Sequence, residues 1–279
     1  MSTLPTVSVV IPAFNEEATI EPCVLAALTQ TVPAHEIIVV DNRSTDRTAA
    51  IVGELQAAHP DASLIYLPQF DEQGLVPTRN AGLDAATGDV LGRIDADSVL
   101  EPNWVEEVQK AFTDPEVAAA TGPVLYYDMP LRRFGLKADD TLRRAILRLA
   151  REYHFVFGSN MALRASAWRT IRGEVCRDEE DLFHEDIDIS VHLHDAGLAA
   201  RYIPTMVTGM SARRVDDSPR DYYSYVGRFD RTYTHHGVRN RRLRAPAWVF
   251  LAVYPVAKGL RWGQGEWDAR RQHPPGSRR

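Results

Sequence analysis

The chain has 279 residues, of which 44% are hydrophobic, and a formal net charge of −6 at pH 7. This composition excludes a disordered protein and predicts one sizeable domain, or a domain with an appendage, around a large core. Neither Cys23 nor Cys176 has a neighbour at metal-ligand spacing, so a disulfide framework and a structural zinc site are not expected. The first residues lack signal-peptide features, which predicts a cytoplasmic protein.

Charge is distributed unevenly along the chain. Residues 210–279 contain 15 Lys and Arg against 6 Asp and Glu, whereas the preceding residues contain 17 against 32. A basic extension on an acidic body predicts an anionic partner for the extension, such as a lipid surface or a phosphate-bearing substrate. A solvated basic tail is the alternative.

Strand and helix patterns alternate through the first half of the chain. Short apolar runs predict strands at 7–11, 37–40, 64–66, 90–94 and 118–124. Helical patterns lie between them, at 20–28, 45–58, 78–86 and 101–112, and Pro22 is expected to kink the first helix or delay its start. This alternation predicts an α/β fold with an open, mostly parallel sheet covered on both faces. Ligands of such sheets bind beyond the carboxyl ends of the strands.

Acidic residues follow two of these predicted strands. Asp41 comes directly after 37–40, and Asp95 comes directly after 90–94, with Asp97 two residues further on. Because side chains alternate along an extended strand, Asp95 and Asp97 can face the same way. Such a pair suits Mg²⁺ or a similar hard cation that also binds substrate phosphates, although most isolated pairs of this kind are solvated turns.

The sequence contains neither the dinucleotide fingerprint nor the Walker pattern, which argues against a dehydrogenase and a P-loop enzyme. The first strand instead runs into a turn that leads to a helix, whose N-terminal amides can meet anionic or polar groups.

Four segments resemble, in order and spacing, the signature of family 2 glycosyltransferases with the GT-A fold. They are 8–17 (SVVIPAFNEE), 37–46 (IIVVDNRSTD), 79–82 (RNAG) and 95–97 (DAD). A fifth similar element is 184–188 (HEDID), which lies beyond 158–161 (GSNM). The resemblance spans roughly residues 7–200.

The resemblance implies a nucleotide-sugar site with named roles. Asp41 would accept hydrogen bonds from the base or ribose, and Arg79 would place a cation near the nucleotide. Asp97 would bind Mg²⁺ or Mn²⁺, with Asp95 as a partner for ribose or metal, and the ion would neutralise the leaving diphosphate. The remaining donor-binding positions are Pro12, Ala13, Asn15, Glu16 and Ala96. A helix cap is the alternative for Asp41, and a surface salt bridge for Arg79.

The resemblance also implies inversion at the anomeric carbon, which requires a general base for the acceptor hydroxyl. Asp186 best matches the base position and Glu185 is second, although both acids also suit the first turn of a helix at 186–195. Gly158 and Asn160 are the expected acceptor-binding residues. Weaker candidates for a further metal ligand are His184, His235 and His236.

The predicted domains are a GT-A domain at 1–210, with a nucleotide-sugar-binding half at 1–125 and an acceptor-binding half at 126–210, and a basic helical extension at 211–279. In the second half, an amphipathic helix with Leu142, Ile146, Leu149 and Tyr153 on one face either covers the acceptor cleft or packs on the sheet. Tyr222, Tyr225, Val226 and Phe229 mark another helix.

The apolar run at 245–262 is too short and too interrupted to span a bilayer, but arginines precede it at 239–244. This pattern favours peripheral contact through 239–262 with the inner face of a membrane, with docking on the body or on a second subunit as the alternative. Disorder is expected at 272–279.

The favoured hypothesis is a metal-dependent inverting glycosyltransferase that takes a nucleotide sugar, with UDP-sugars favoured. Its acceptor would be a glycan, a lipid-linked intermediate or a small molecule, and no nucleic-acid partner is expected. The alternatives are a sugar nucleotidyltransferase, whose glycine-rich, lysine-bearing loop is absent, and a catalytically inactive scaffold protein.

Overall fold

The computed structural model of the protein describes residues 4–150 and 155–272. Ten strands are described within these ranges, namely β1 (Val7–Ala13), β2 (Glu36–Asp41), β3 (Leu64–Pro68), β4 (Val90–Arg93), β5 (Val99–Leu100), β6 (Ala119–Thr121), β7 (Val124–Tyr126), β8 (Met161–Arg164), β9 (Ala200–Tyr202) and β10 (Thr208–Met210). Seven form one sheet in the order β3-β2-β1-β4-β8-β6-β9, and β5, β10 and β7 form a second.

The large sheet is mostly parallel, as predicted. Strands β1 to β4 pair in parallel, whereas β8 runs antiparallel to both of its neighbours, β4 and β6. Every residue of β1 and β2 is buried, because apolar clusters cover both faces. Within β1, Val9 and Ile11 belong to one cluster and Val10 to the other, as the alternation of side chains along a strand requires.

The predicted strand at 118–124 is divided in the structure into β6 and β7, and Gly122 and Pro123 lie between them. Pro123 has no amide hydrogen for a sheet hydrogen bond. A Cβ at Gly122 would lie 2.0 Å from the main-chain oxygen of Met206, so only glycine fits there. The chain therefore leaves the large sheet at this point and enters the small one.

The described helices are α1 (Ile20–Leu28), α2 (Thr48–Ala58), α3 (Leu75–Ala85), α4 (Trp104–Phe112), α5 (Arg132–Ala150), α6 (Ala165–Ile171), α7 (Glu185–Asp195), α8 (Pro219–His235) and α9 (Ala245–Gln272), with 3₁₀ turns at Arg213–Asp216 and Arg241–Arg244. Pro22 lies in the first turn of α1, where its missing amide hydrogen breaks no helical bond. On α5, Ile146 is buried whereas Leu149 is exposed, and Tyr153 lies outside the described residues.

The C-terminal helices pack against the body. Tyr254 Oη and Lys258 Nζ both donate hydrogen bonds to the main-chain oxygen of Asp217, at 2.8 and 2.6 Å. Arg261 forms ion pairs with Asp128 and Asp216, each at 2.7 Å. One face of α9 is therefore docked on the segments that follow β7 and β10, which agrees with docking on the body, one of the alternatives to membrane contact.

The opposite face of α9 is exposed and apolar. Its exposed side chains are Trp248, Val253, Val256, Leu260 and Trp262. None of the helices in the described ranges is long and apolar enough to cross a bilayer.

Candidate active site

The loops that follow β1 and β2 are joined by hydrogen bonds. The amide of Asn15 donates to Ser44 Oγ at 2.9 Å, and the amide of Thr45 donates to Asn15 Oδ1 at 2.8 Å. Asn15 and Arg43 both have positive φ, at 54° and 65°, a conformation that non-glycine residues seldom adopt. These contacts fix the predicted donor-binding turn beside the end of β2.

Asp41 lies at the carboxyl end of β2, where it is 4% exposed. Its Oδ1 accepts the amide of Ser44 at 3.0 Å, and its Oδ2 accepts Tyr66 Oη at 2.6 Å. Burial and the hydrogen bond with Asp41 raise the pKa of Tyr66 to about 12, so the phenol remains a donor at neutral pH. The carboxylate is thus held in one orientation at the rim where a nucleotide is expected.

Asp97 is buried and surrounded by other carboxylates. Burial raises its pKa to about 6, and the negative charges of Asp95 and Glu16 contribute to this increase. Arg213 offsets part of this charge, because its Nε lies 2.9 Å from Asp97 Oδ2 while its two terminal nitrogens contact both Glu16 oxygens at 2.7 and 3.0 Å. Converging acidic oxygens are the donor set that Mg²⁺ and Mn²⁺ prefer, so these residues fit a divalent cation.

The predicted histidines make contacts elsewhere. His184 is buried with its ring against Tyr225 and Phe229, and burial lowers its pKa to about 4. His235 packs on Phe183, and His236 hydrogen-bonds Asp188. The side chain that contacts Asp97 from downstream is Arg213, which the sequence analysis did not identify.

Arg93 joins the two acidic segments of the site. It ends β4 and is fully buried, with its Nη2 2.8 Å from Asp95 Oδ1 and 3.2 Å from Glu185 Oε1. Its Nε makes no hydrogen bond within the described residues. A buried guanidinium needs acidic partners, so an arginine inside the apolar run at 90–94 was a signal for this pairing.

Arg79 is also fully buried. Its Nη1 donates to the main-chain oxygen of Glu185 at 3.1 Å, and its Nε and Nη2 donate to Asn80 Oδ1 at 3.0 and 2.7 Å. Burial lowers the pKa of the guanidinium to about 10, which leaves it charged at neutral pH. Its donors point inward, so this geometry favours a role in positioning Glu185 over the predicted contact with the nucleotide.

Glu185 and Asp186 are the first two residues of α7, and their pKa values are shifted in opposite directions. Burial opposes the ionised form of Glu185, but Arg93 and Arg79 outweigh that effect and lower its pKa. Burial and the neighbouring charge of Glu185 raise the pKa of Asp186 to about 7. Adjacent acids whose pKa values are pushed apart are typical of acid–base catalysis, and a group with a pKa near 7 suits a general base at neutral pH.

Gly158 packs directly against this acidic pair. Its amide donates to Asp186 Oδ2 at 2.9 Å. A Cβ at this position would lie 2.3 Å from Arg93 Nη1 and 2.9 Å from Glu185 Oε1. The absence of a side chain is therefore what allows the loop to hold Asp186 while Arg93 and Glu185 remain paired.

We expect Gly158→Ala to lower the free energy of unfolding by about 1–3 kcal/mol, because the added methyl must displace a buried ion pair. The measurement compares the denaturant midpoint of unfolding of the variant with that of the unmodified protein. Gly173→Ala is the matched control, since apart from its chain neighbours no atom of the described residues lies within 4 Å of a Cβ there. Equal midpoints for Gly158→Ala and Gly173→Ala would contradict the packing described for Gly158.

Asn160, predicted to bind the acceptor, is fully buried and committed to internal contacts. Its Oδ1 accepts Trp104 Nε1 at 2.8 Å, and its Nδ2 donates to the main-chain oxygens of Pro123 and Met206 at 3.0 and 2.7 Å. The side chain joins α4 to the segments between β6 and β7 and between β9 and β10, so this position favours a structural role over the predicted contact with the acceptor.

Three other predicted donor residues also have inward-facing side chains. Pro12 and Ala13 close the buried end of β1, and Ala96 belongs to the apolar core. Any contact of Ala96 with a ligand would therefore involve its main chain.

The structure thus defines a mostly parallel α/β fold with two acidic groups, Asp95–Asp97 and Glu185–Asp186, joined at the strand ends by Arg93. Residues 8–172 match the family model described as Glycosyl transferase family 2, and residues 93–259 match that of Glycosyl transferase family group 2. The first match covers more than half of the chain, so the protein belongs to glycosyltransferase family 2.

Two curated relatives match parts of the chain. Glycosyltransferase AglE of Haloferax volcanii is 36% identical over 107 residues, which are 38% of this chain and 34% of that protein. Chondroitin synthase of Pasteurella multocida is 34% identical over 116 residues, which are 42% of this chain and 12% of that protein. The matches thus span about a third or less of these relatives.

Two solved structures share the fold. The mannosyltransferase PcManGT from Pyrobaculum calidifontis, solved in complex with GDP-Man and Mn²⁺, has a TM-score of 0.65 at 20% identity, covering 98% of this chain and 76% of that one. The glucosyl-3-phosphoglycerate synthase of M. tuberculosis has a TM-score of 0.53 at 21% identity, covering 85% and 82%. These likenesses confirm the predicted GT-A fold.

Proposed function

We propose that the protein transfers a sugar from a nucleotide-sugar donor to an acceptor hydroxyl with inversion, in the presence of Mg²⁺ or Mn²⁺. The observation that carries this proposal is that Arg93 forms ion pairs with both Asp95 and Glu185. Asp95 lies on the expected metal and nucleotide side, and Glu185 precedes the expected base, Asp186. UDP-sugars remain the favoured donors, and the GDP-Man in the archaeal mannosyltransferase makes GDP-sugars the second class to test.

The donor would lie across the carboxyl ends of β1, β2 and β4. Asp41 would accept hydrogen bonds from the base or ribose, and Asn15 and Glu16 would line the turn beside it. Asp97 would hold the cation, with Asp95 beside it for the metal or the ribose. When bound, that cation supplies positive charge to the leaving diphosphate.

Asp186 would act as the general base. As the acceptor oxygen bonds to the anomeric carbon, its proton moves to the Asp186 carboxylate and the bonding electrons leave with the diphosphate oxygen. The Gly158 amide and the first turn of α7 orient this carboxylate. Glu185, paired with Arg93, remains ionised, and burial together with this neighbouring charge raises the pKa of Asp186 to about 7.

The test of this proposal is a donor screen with the full chain. UDP-, GDP- and dTDP-sugars are incubated with Mn²⁺, Mg²⁺ or EDTA, and released nucleotide is quantified with and without candidate acceptors. We expect metal-dependent release of a nucleoside diphosphate from one donor class. Nucleotide binding without turnover would favour the inactive-scaffold alternative, and release of inorganic diphosphate from a nucleoside triphosphate would favour a nucleotidyltransferase.

The exposed face of α9 supports peripheral contact with an anionic membrane, which would bring a cytoplasmic enzyme to a lipid-linked acceptor at the inner face. Trp248 and Trp262 are 70% and 72% exposed on this face. Arg239 and Arg242, just before the helix, are exposed as well. An apolar face beside basic residues is typical of helices that lie in the membrane interface, where anionic lipids attract arginine.

We expect the double variant Trp248→Glu/Trp262→Glu to bind anionic vesicles at least about tenfold more weakly, because apolar contact is lost and negative charge is added. Vesicle sedimentation measures this binding. Ala57→Glu/Ala58→Glu, on the exposed side of α2, adds the same charge elsewhere. Equal loss in both double variants, or no binding by the unmodified chain, would contradict a membrane role for α9 and leave association with a second subunit to test.

A further inference from the structure

A second cluster of chemically reactive side chains shares no residue with the transferase site. It consists of Cys176, Asp188, His192 and His236, whose ligand atoms all lie within 4.8 Å of one another. Asp188 and His192 are one helical turn apart on α7, Cys176 lies in the segment before α7, and His236 directly follows α8. The fold therefore gathers these four side chains from three separate segments.

The cluster is centred on the buried carboxylate of Asp188, which is 2% exposed. Its Oδ1 lies 2.9 Å from His236 Nε2 and 3.3 Å from His192 Nε2. Its Oδ2 accepts the amide of Cys176 at 3.0 Å, and Cys176 Sγ is 4.0 Å from His236 Nε2. Two imidazoles and a thiol thus converge on one carboxylate.

One ligand atom of this cluster has no hydrogen-bond partner within the described residues. His192 Nε2 is buried and makes no hydrogen bond within the described residues, although Asp188 is close. The ligand atoms of Cys176, Asp188 and His236 all lie within 4.8 Å of this nitrogen. A metal ion would satisfy His192, because it accepts the nitrogen lone pair, and would take the Cys176 sulfur as a further ligand.

The donor set and spacing suit a transition metal. Sulfur, two imidazole nitrogens and a carboxylate oxygen are zinc ligands, whereas Mg²⁺ and Ca²⁺ prefer oxygen alone. Ligand atoms around a tetrahedral zinc lie roughly 3.3–3.7 Å apart. The observed separations bracket this range, so binding requires the Cys176 thiol to move inward and the Asp188–His236 contact to open slightly.

We propose that Cys176, Asp188, His192 and His236 bind one zinc or similar transition-metal ion as a four-ligand structural site. This ion would fasten the segment before α7 and the end of α8 to the helix that carries Asp186. Local spacing in the sequence does not reveal such a site, because Cys176 and His236 are 60 residues apart. The inference does not depend on the proposed transferase activity.

The test uses the full chain, purified without chelator and then loaded with Zn²⁺ or Co²⁺. We expect about one equivalent of bound metal by elemental analysis and, with Co²⁺, the absorption of a tetrahedral ion with a thiolate-to-cobalt band. Cys176→Ser should remove that band and weaken binding more than about tenfold, and His192→Gln should weaken it similarly. Removal of the metal should lower the melting temperature of the unmodified chain but not that of these variants.

Two controls make the result specific. His59→Gln removes a histidine outside the cluster and should keep full metal content, and Asp97→Asn should keep the cobalt–thiolate band even if nucleotide binding is lost. A metal content after loading of less than about 0.1 equivalent per chain, on the order of background, would overturn the proposed site. Unchanged binding in Cys176→Ser and His192→Gln would overturn it equally.

Discussion

We expect Asp186→Asn to lower kcat by about 10²–10⁴-fold while nucleotide affinity stays within about twofold. The amide cannot take the acceptor proton, but it has nearly the same shape as the carboxylate and can still accept the Gly158 amide hydrogen. The loss should therefore appear in the chemical step and not in donor binding. Steady-state kinetics with the donor identified by the screen, together with titration calorimetry of its nucleotide, separate the two quantities.

The pH dependence gives an independent test of Asp186. Its pKa is raised to about 7, so the carboxyl group is ionised above that pH and protonated below it. Hence kcat/KM of the unmodified enzyme should rise with pH and level off above about 7, and activity should be lost as the pH falls. Asp195→Asn, at the exposed end of the same helix, should keep both the rate and the profile. A full rate or an unchanged pH profile in Asp186→Asn would contradict its role as base.

We expect Asp97→Asn to weaken metal-dependent nucleotide binding by about 100-fold, which corresponds to about 2.8 kcal/mol. The substitution removes the buried carboxylate charge that would bind the cation, whereas Arg213 retains Glu16 as a partner. Titration calorimetry of the nucleotide in Mn²⁺ and in EDTA measures the change. Asp61→Asn, in an exposed loop, is the matched control.

The same prediction has a pH signature. The pKa of Asp97 is raised to about 6, and a metal ligand must be deprotonated, so metal-dependent affinity should fall as the pH drops below about 6. An Asp97→Asn variant that binds nucleotide with unmodified, metal-dependent affinity would show that Asp97 does not hold the ion.

The first four strands of the large sheet were predictable because each is a continuous apolar run followed by a turn. This reasoning also placed Asp41 and Asp95 on one rim. The short strands β8, β9 and β10 have no comparable apolar pattern, since pairing with distant strands determines them. Strand boundaries at 118–124 depended on a close approach between Gly122 and Met206 that local sequence does not reveal.

The sequence predicted the positions of candidate-site residues that lie within its motifs. It did not predict the residues from elsewhere in the chain that contact them. Arg93 is part of a strand pattern and pairs with Glu185 far along the chain, and Arg213 contacts Asp97 from 116 positions further along the chain. Asn160 was expected to meet the acceptor because it lies in a family-like segment, yet its burial is set by Trp104 and the two main-chain oxygens that it contacts. Tertiary contacts, which spacing does not encode, determine the positions of these side chains.

Thermal unfolding of the full chain with UDP, GDP or dTDP, each in Mn²⁺, Mg²⁺ or EDTA, tests the central claim most directly. A ligand that binds only the folded state raises its apparent stability. We predict that one nucleotide raises the melting temperature with Mn²⁺ or Mg²⁺ and that EDTA abolishes the increase. An equal increase in EDTA, or none with any nucleotide at concentrations that saturate related enzymes, would contradict a metal-dependent nucleotide-sugar site.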